Sequence, residues 1–166
     1  MILCDDHAVV RRGIRDTISE AVDIQVVGEA GSYPAPREQM RKVECDVLVL
    51  DLNMPGRGGL EVLAALRDEG SLVKTLVVSM YPEDQYAIRC LRAGARGYVN
   101  KAGEPAELVA AIRTVQQGRK YVTPEVAQML VDNLNAPESQ ELHASLSERE
   151  LQTLQKIASG KKLSEI

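Results

Sequence analysis

This chain has no phenylalanine and no tryptophan, and tyrosine, at five of 166 residues, is its only aromatic. Proteins that grip single-stranded nucleic acid stack its bases on aromatic rings, so that class of function is poorly served here. The core is expected to be aliphatic for the same reason. Cysteine is scarce too. Cys4, Cys45 and Cys90 are an odd count with no CxxC spacing, which argues against a disulfide framework or a zinc site. They read as reduced thiols of a cytoplasmic protein. No apolar run approaches the roughly 20 residues that cross a bilayer. Acidic residues at positions 5 and 6 interrupt any signal-peptide pattern. An excess of basic charge is also missing. The net charge is −4, so any nucleic-acid binding must come from a small local surface.

What is present is an alternation. Short apolar runs alternate with amphipathic segments from Met1 to about Gln117, the pattern of βαβ units and a parallel sheet. The runs predict strands at Met1–Cys4, Ile24–Val27, Val47–Asp51, Thr75–Ser79 and Tyr98–Asn100. The intervening segments predict helices at Ala8–Ala21, Arg37–Lys42, Leu60–Glu69, Asp84–Ala93 and Pro105–Gln117. Val47 to Leu50 is unbroken and apolar, as expected of a strand buried on both faces at the centre of a sheet. Asn53 to Gly59 holds a proline and three glycines and reads as a loop. After Tyr121 the alternation stops. Thr123-Pro124-Glu125 opens one more helix, Asn135–Ser145 reads as a polar linker, and Ser147-Glu148-Arg149-Glu150 is a capping box.

Four of the apolar runs end in a distinctive polar group. The first runs into Asp5 and Asp6, the third into Asp51, the fourth into Ser79 and the fifth into Lys101. In a parallel sheet these ends converge at the carboxyl edge. Three carboxylates, a hydroxyl and an ammonium would then share one cleft, a set able to hold a divalent cation and a phosphoryl group together. Each residue alone has a plainer reading. An Asp after a strand is usually a turn or capping residue, and Asp5-Asp6 suits the positive end of a helix. His7 reads as a helix-start capping or packing residue, and Tyr98 alone as a half-buried strand residue. The conjunction outweighs the separate readings.

Cys4-Asp5-Asp6-His7, Leu50-Asp51-Leu52-Asn53-Met54-Pro55-Gly56, Val77-Val78-Ser79-Met80 and Gly97-Tyr98-Val99-Asn100-Lys101, in that order, resemble the receiver domain of two-component response regulators. Leu146-Ser147-Glu148-Arg149-Glu150-Leu151, with Ala158-Ser159-Gly160 and Leu163-Ser164-Glu165-Ile166, resembles the opening of a LuxR-type helix-turn-helix. Together they resemble a NarL/FixJ-type response regulator. The resemblance implies a doubly wound, flavodoxin-like sheet of five parallel strands in the order 2-1-3-4-5. It implies a receiver at residues 1–121, a helix and linker at 122–145, and an incomplete helix-turn-helix at 146–166. No recognition helix follows Ile166, so these residues read as a truncated chain, expected not to bind DNA specifically.

The resemblance also assigns roles. Asp51 would be the phosphoacceptor, and Mg²⁺ or Mn²⁺ would sit on Asp5, Asp6, Asp51 and the backbone carbonyl of Asn53. Ser79 and Lys101 would hold phosphoryl oxygens. Tyr98 would be an aromatic switch that turns inward as Ser79, read as an exposed hydroxyl, is drawn to the phosphoryl group. The implied partners are a histidine kinase, promoter DNA for the full-length protein and a second copy when phosphorylated. No membrane and no conventional enzyme activity are implied. The alternative is a phosphatase of the haloacid dehalogenase type, which also forms an aspartyl phosphate. That family carries a second Asp two residues after the nucleophile, where this chain has Asn53. Two departures from receivers stand out: Met80, expected to narrow access to Asp51, and Ala102 in place of a proline, which removes the expectation of a cis-proline turn.

Overall fold

The computed structural model describes residues 1–33, 35–55 and 58–135. Most of the predicted linker and all of the helix-turn-helix segment lie outside the described residues. Met1–Met129 forms one compact unit. Its strands are β1 (Ile2–Cys4), β2 (Gly28–Ala30), β3 (Val47–Leu50), β4 (Lys74–Ser79) and β5 (Gly97–Asn100). They alternate with α1 (Ala8–Ser19), α2 (Ala35–Met40), α3 (Gly59–Asp68), α4 (Glu83–Ala93) and α5 (Pro105–Gln116). A further helix, α6, spans Pro124–Asn135. All strand pairs are parallel and the order is β2-β1-β3-β4-β5, as the resemblance implies.

Burial follows the strand pleat. Leu3, Val47, Val49, Leu76, Val78 and Val99 form one core with Ile18 of α1 and Leu108, Ala111, Ile112 and Val115 of α5. Each buried Leu, Ile or Val side chain among them contributes roughly 1.5–3 kcal/mol. Strand residues of the opposite parity, including Ser79 and Tyr98, face the other way. That side is not purely aliphatic: Tyr86 of α4 and Tyr98 are both buried.

The second strand corrects the sequence expectation. The ladder forms at Gly28–Ala30, where Gly28, Glu29 and Ala30 pair with Ile2, Leu3 and Cys4. Ile24 and Val26 of the predicted strand instead pack against the core just ahead of the ladder. Their backbone still runs beside Met1, whose carbonyl accepts the Val27 amide at 2.8 Å while its ammonium donates to Gln25 O at 2.7 Å. Apolar spacing marks what touches the core. At a sheet edge that is not the same stretch that pairs.

Two glycines are required by the backbone, Gly94 where α4 ends and Gly59 beside the site. Gly94 ends α4 at φ 116°, a left-handed conformation that side chains disfavour. A Cβ on Gly59 would lie 2.7 Å from Leu52 Cα, so only glycine lets α3 start hard against the end of β3. The Gly59 amide donates to Leu52 O at 3.1 Å across that contact. All three cysteines are free, and burial pushes the Cys4 thiol pKa well up, leaving it protonated and inert. Among the described residues, no helix is long and apolar enough to cross a membrane.

Candidate functional site

The strand order reverses direction between β1 and β3, and the loops leaving them diverge to open a crevice at the carboxyl edge of the sheet. Asp5 and Asp6 follow β1, Asp51 follows β3, Ser79 ends β4, and Lys101 follows β5. The backbone ladder fixes their level: the Asp51 amide donates to Cys4 O at 2.8 Å, and the Lys101 amide to Ser79 O at 2.9 Å.

Asp5 and Asp51 are only 1% and 2% exposed. Two buried carboxylates repel, and the chain answers with one ammonium. Lys101 Nζ lies 2.7 Å from Asp5 Oδ2 and 2.8 Å from Asp51 Oδ2, with its own side chain 7% exposed. Burial of the ammonium would lower its pKa, but the hydrogen bonds and charges of the two carboxylates more than offset this. The net shift is upward and Lys101 stays charged. The other oxygens take backbone amides: His7 N donates to Asp5 Oδ1 at 2.8 Å and Asn53 N to Asp51 Oδ1 at 3.2 Å. Asp5 Oδ2 and Asp51 Oδ2 both rely on the Lys101 ammonium. Two buried carboxylates sharing one ammonium, beside a third carboxylate, are a donor set that fits a hard divalent cation. Ligand atoms of Asp5, Asp6, His7 and Asp51 all lie within 4.8 Å of one another.

Ser79 is buried, not exposed as expected from its place at a strand end. Its Oγ accepts the Tyr81 amide at 3.2 Å. The Tyr81 carbonyl in turn accepts the Tyr98 hydroxyl at 2.8 Å, so the Tyr98 ring already lies inward. Burial pushes the Tyr98 phenol pKa up, partly offset by a hydrogen bond with Ser79. The Tyr81 hydroxyl reaches across to Asn53 Oδ1 at 2.9 Å, and its ring stacks on Tyr86 with centroids 4.5 Å apart. Tyr81 thus ties together the ends of β3, β4 and β5, a role the sequence reading missed. The signal was its position two residues past Ser79, mirroring Asn53 two past Asp51. Met80, next to Ser79, is 66% exposed. After Lys101 the chain turns on Asn100, whose Oδ1 and O accept the amides of Ala102 and Gly103 at 2.8 and 3.0 Å. No proline is needed there.

The response regulator receiver domain family matches residues 1–113. This chain belongs to the response regulators of two-component systems. Response regulator UvrY of Escherichia coli strain K12 is 38% identical over 167 residues, covering 100% of this chain and 77% of its own. Response regulator GacA of Pseudomonas aeruginosa is 36% identical over the same span, covering 78% of its own length. Among solved structures, a LuxR-family two-component response regulator from Aurantimonas superposes with a TM-score of 0.73 at 34% identity, over 81% of this chain and 96% of the other. RcsB of Salmonella enterica serovar Typhimurium, solved bound to a promoter with the phosphomimetic BeF3−, gives 0.72 at 27% identity over 96% of this chain and 76% of its own. These relatives place the regulator in the NarL/LuxR group of transcription regulators, which work with histidine kinases. None of them supports the phosphatase alternative.

Proposed function

We propose that Asp51 of this response regulator is the phosphoacceptor. The observation that carries the proposal is the buried pairing of Asp51 with Asp5 through one lysine, at the carboxyl end of the central strand. A carboxylate is a weak nucleophile, so the site must offset the charge of an incoming phosphoryl group and hold it in line. An Asp51 oxygen attacks phosphorus of a kinase phosphohistidine. The P–N bond breaks as the P–O bond forms, and the imidazole nitrogen leaves with the electron pair. Lys101 exchanges carboxylate oxygens for a phosphoryl oxygen, and the Ser79 hydroxyl donates to another. Asp5, Asp6, Asp51 and the Asn53 carbonyl would hold Mg²⁺ or Mn²⁺, which draws charge off the phosphoryl oxygens when bound. The domain reading extends this: residues 1–121 receive the signal, 122–145 connect, and 146–166 open a LuxR-type helix-turn-helix. The full-length protein would act in the cytoplasm as a phosphorylation-favoured dimer on promoter DNA.

A small phosphodonor with Mg²⁺ is expected to add one phosphoryl mass to the intact chain, mapped to Asp51, and to add none once the metal is chelated. A label on any other residue would overturn the assignment.

The switch follows from the same contacts. Drawing the Ser79 hydroxyl toward a phosphoryl oxygen takes it from the Tyr81 amide, and the Tyr81 carbonyl is what holds Tyr98. The change at Tyr98 is then a rearrangement of an already buried ring. Ser79→Ala is expected to cost about 1 kcal/mol of stability, one hydrogen bond, and to leave Tyr98 unresponsive to phosphorylation. NMR shifts of Tyr98 that are the same in both states of the wild type would exclude the switch.

A further inference from the structure

His7 carries a side chain with no structural task at the place where structure would most naturally use it. It occupies the N-cap of α1, yet its side chain makes no capping hydrogen bond. It is 63% exposed, so it does not serve packing either. The helix-start roles expected from sequence are both set aside. Instead Nδ1 lies 2.6 Å from Asp6 Oδ1 and 3.6 Å from Asp5 Oδ1. Lys101 offsets Asp5 and Asp51 but is not paired with Asp6, which turns to His7.

We propose that His7 is a further protein ligand of the cation cluster, and that it gives the site a selective affinity for imidazole-binding transition ions such as Ni²⁺. The proposal rests on the cation site read above for Asp5, Asp6 and Asp51. With Nδ1 and Oδ1 2.6 Å apart, a divalent ion finds a nitrogen and an oxygen already convergent. Opposite ligand atoms of an octahedral ion with bonds of about 2.1 Å are about 4.2 Å apart. The four candidate ligand atoms, within 4.8 Å of one another, need only a small contraction to fit that sphere. Asp5 Oδ2 and Asp51 Oδ2 share the single ammonium of Lys101, so three carboxylates face one fixed positive charge and the cluster keeps an excess of negative charge for a cation. Magnesium takes oxygen ligands and keeps its waters, so it gains little from an imidazole. Nickel accepts imidazole readily. An exposed side chain can swing onto the ion without disturbing the fold.

The test is calorimetric titration of the whole chain with Mg²⁺ alone and with Ni²⁺ alone. His7→Gln is expected to weaken Ni²⁺ binding at least about ten-fold while leaving Mg²⁺ affinity unchanged. His143→Gln, which removes the only other histidine, should change neither. Equal weakening of both ions by His7→Gln would make His7 a positioner of Asp6 and overturn the proposal. So would a Ni²⁺ affinity indifferent to His7→Gln. Mg²⁺ binding that survives both Asp6→Ala and Asp51→Asn would instead sink the underlying cation site, a failure separable from that of the histidine.

Discussion

Asp51→Asn is expected to abolish phosphoryl transfer completely while leaving the protein at least as stable as the wild type. The amide keeps the shape of the side chain but is no nucleophile, so no residual acylphosphate should form. The stability side follows from the charge arrangement. Asp5 and Asp51 are both buried and share one ammonium. Neutralising Asp51 removes one buried charge and its repulsion with Asp5, and leaves Lys101 paired with Asp5. A buried charge partly compensated contributes little net stability, so its loss costs little. Intact mass after phosphodonor treatment and urea unfolding of both forms measure the two halves of the prediction. A retained mass shift would name another acceptor, and a strong loss of stability would mean that Asp51 is a structural partner first.

Lys101→Met should act in the opposite sense. It removes the only ammonium from two buried carboxylates and leaves them facing one another. Breaking a buried pair in this way costs about 3–5 kcal/mol. The metal-free variant is expected to lose that much in urea unfolding, and millimolar Mg²⁺ should restore part of it, because a bound cation replaces the missing charge and binds only the folded state. Equal stability of variant and wild type without metal would show that Lys101 is not what balances the site. The pH dependence has a definite sign. The Lys101 pKa is raised above its ordinary 10.5. Its contribution is complete below about pH 10.5 and fades only as pH rises through the folded-state value. No physiological change of pH releases it, and a competing cation or a phosphoryl group must do so.

The carboxyl ends of the strands were the legible part of this sequence. Val47–Leu50 is apolar without interruption because it is covered on both faces, and the run stops where the backbone reaches the crevice at Asp51. The same logic placed Asp5, Asp6, Ser79 and Lys101 at one edge, and the structure brings them there. Strand β2 was displaced because an edge strand is set by backbone pairing with Ile2–Cys4, which leaves little trace in side-chain pattern. Ser79 was misjudged as exposed because burial at a strand end depends on what folds over it, here Tyr81. The Tyr81 contact with Asn53 joins residues 28 apart, and no local periodicity reports a pairing of that kind. His7 was read as a capping residue from its position, and only the side-chain geometry shows that it faces Asp6 instead.

The contact of Gly59 with Leu52 gives the crevice an unequal pair of walls. On one side α3 is wedged against the end of β3 with no room for a single methyl group. On the other, Tyr81 is held by individual hydrogen bonds to Ser79, Tyr98 and Asn53 and by the stacking of its ring on Tyr86. A load applied at Asp51 therefore has an anvil behind it and a hinge in front. A phosphoryl group on Asp51, as proposed above, is expected to displace the Tyr81 side toward α4 and β5, with α3 as the fixed frame.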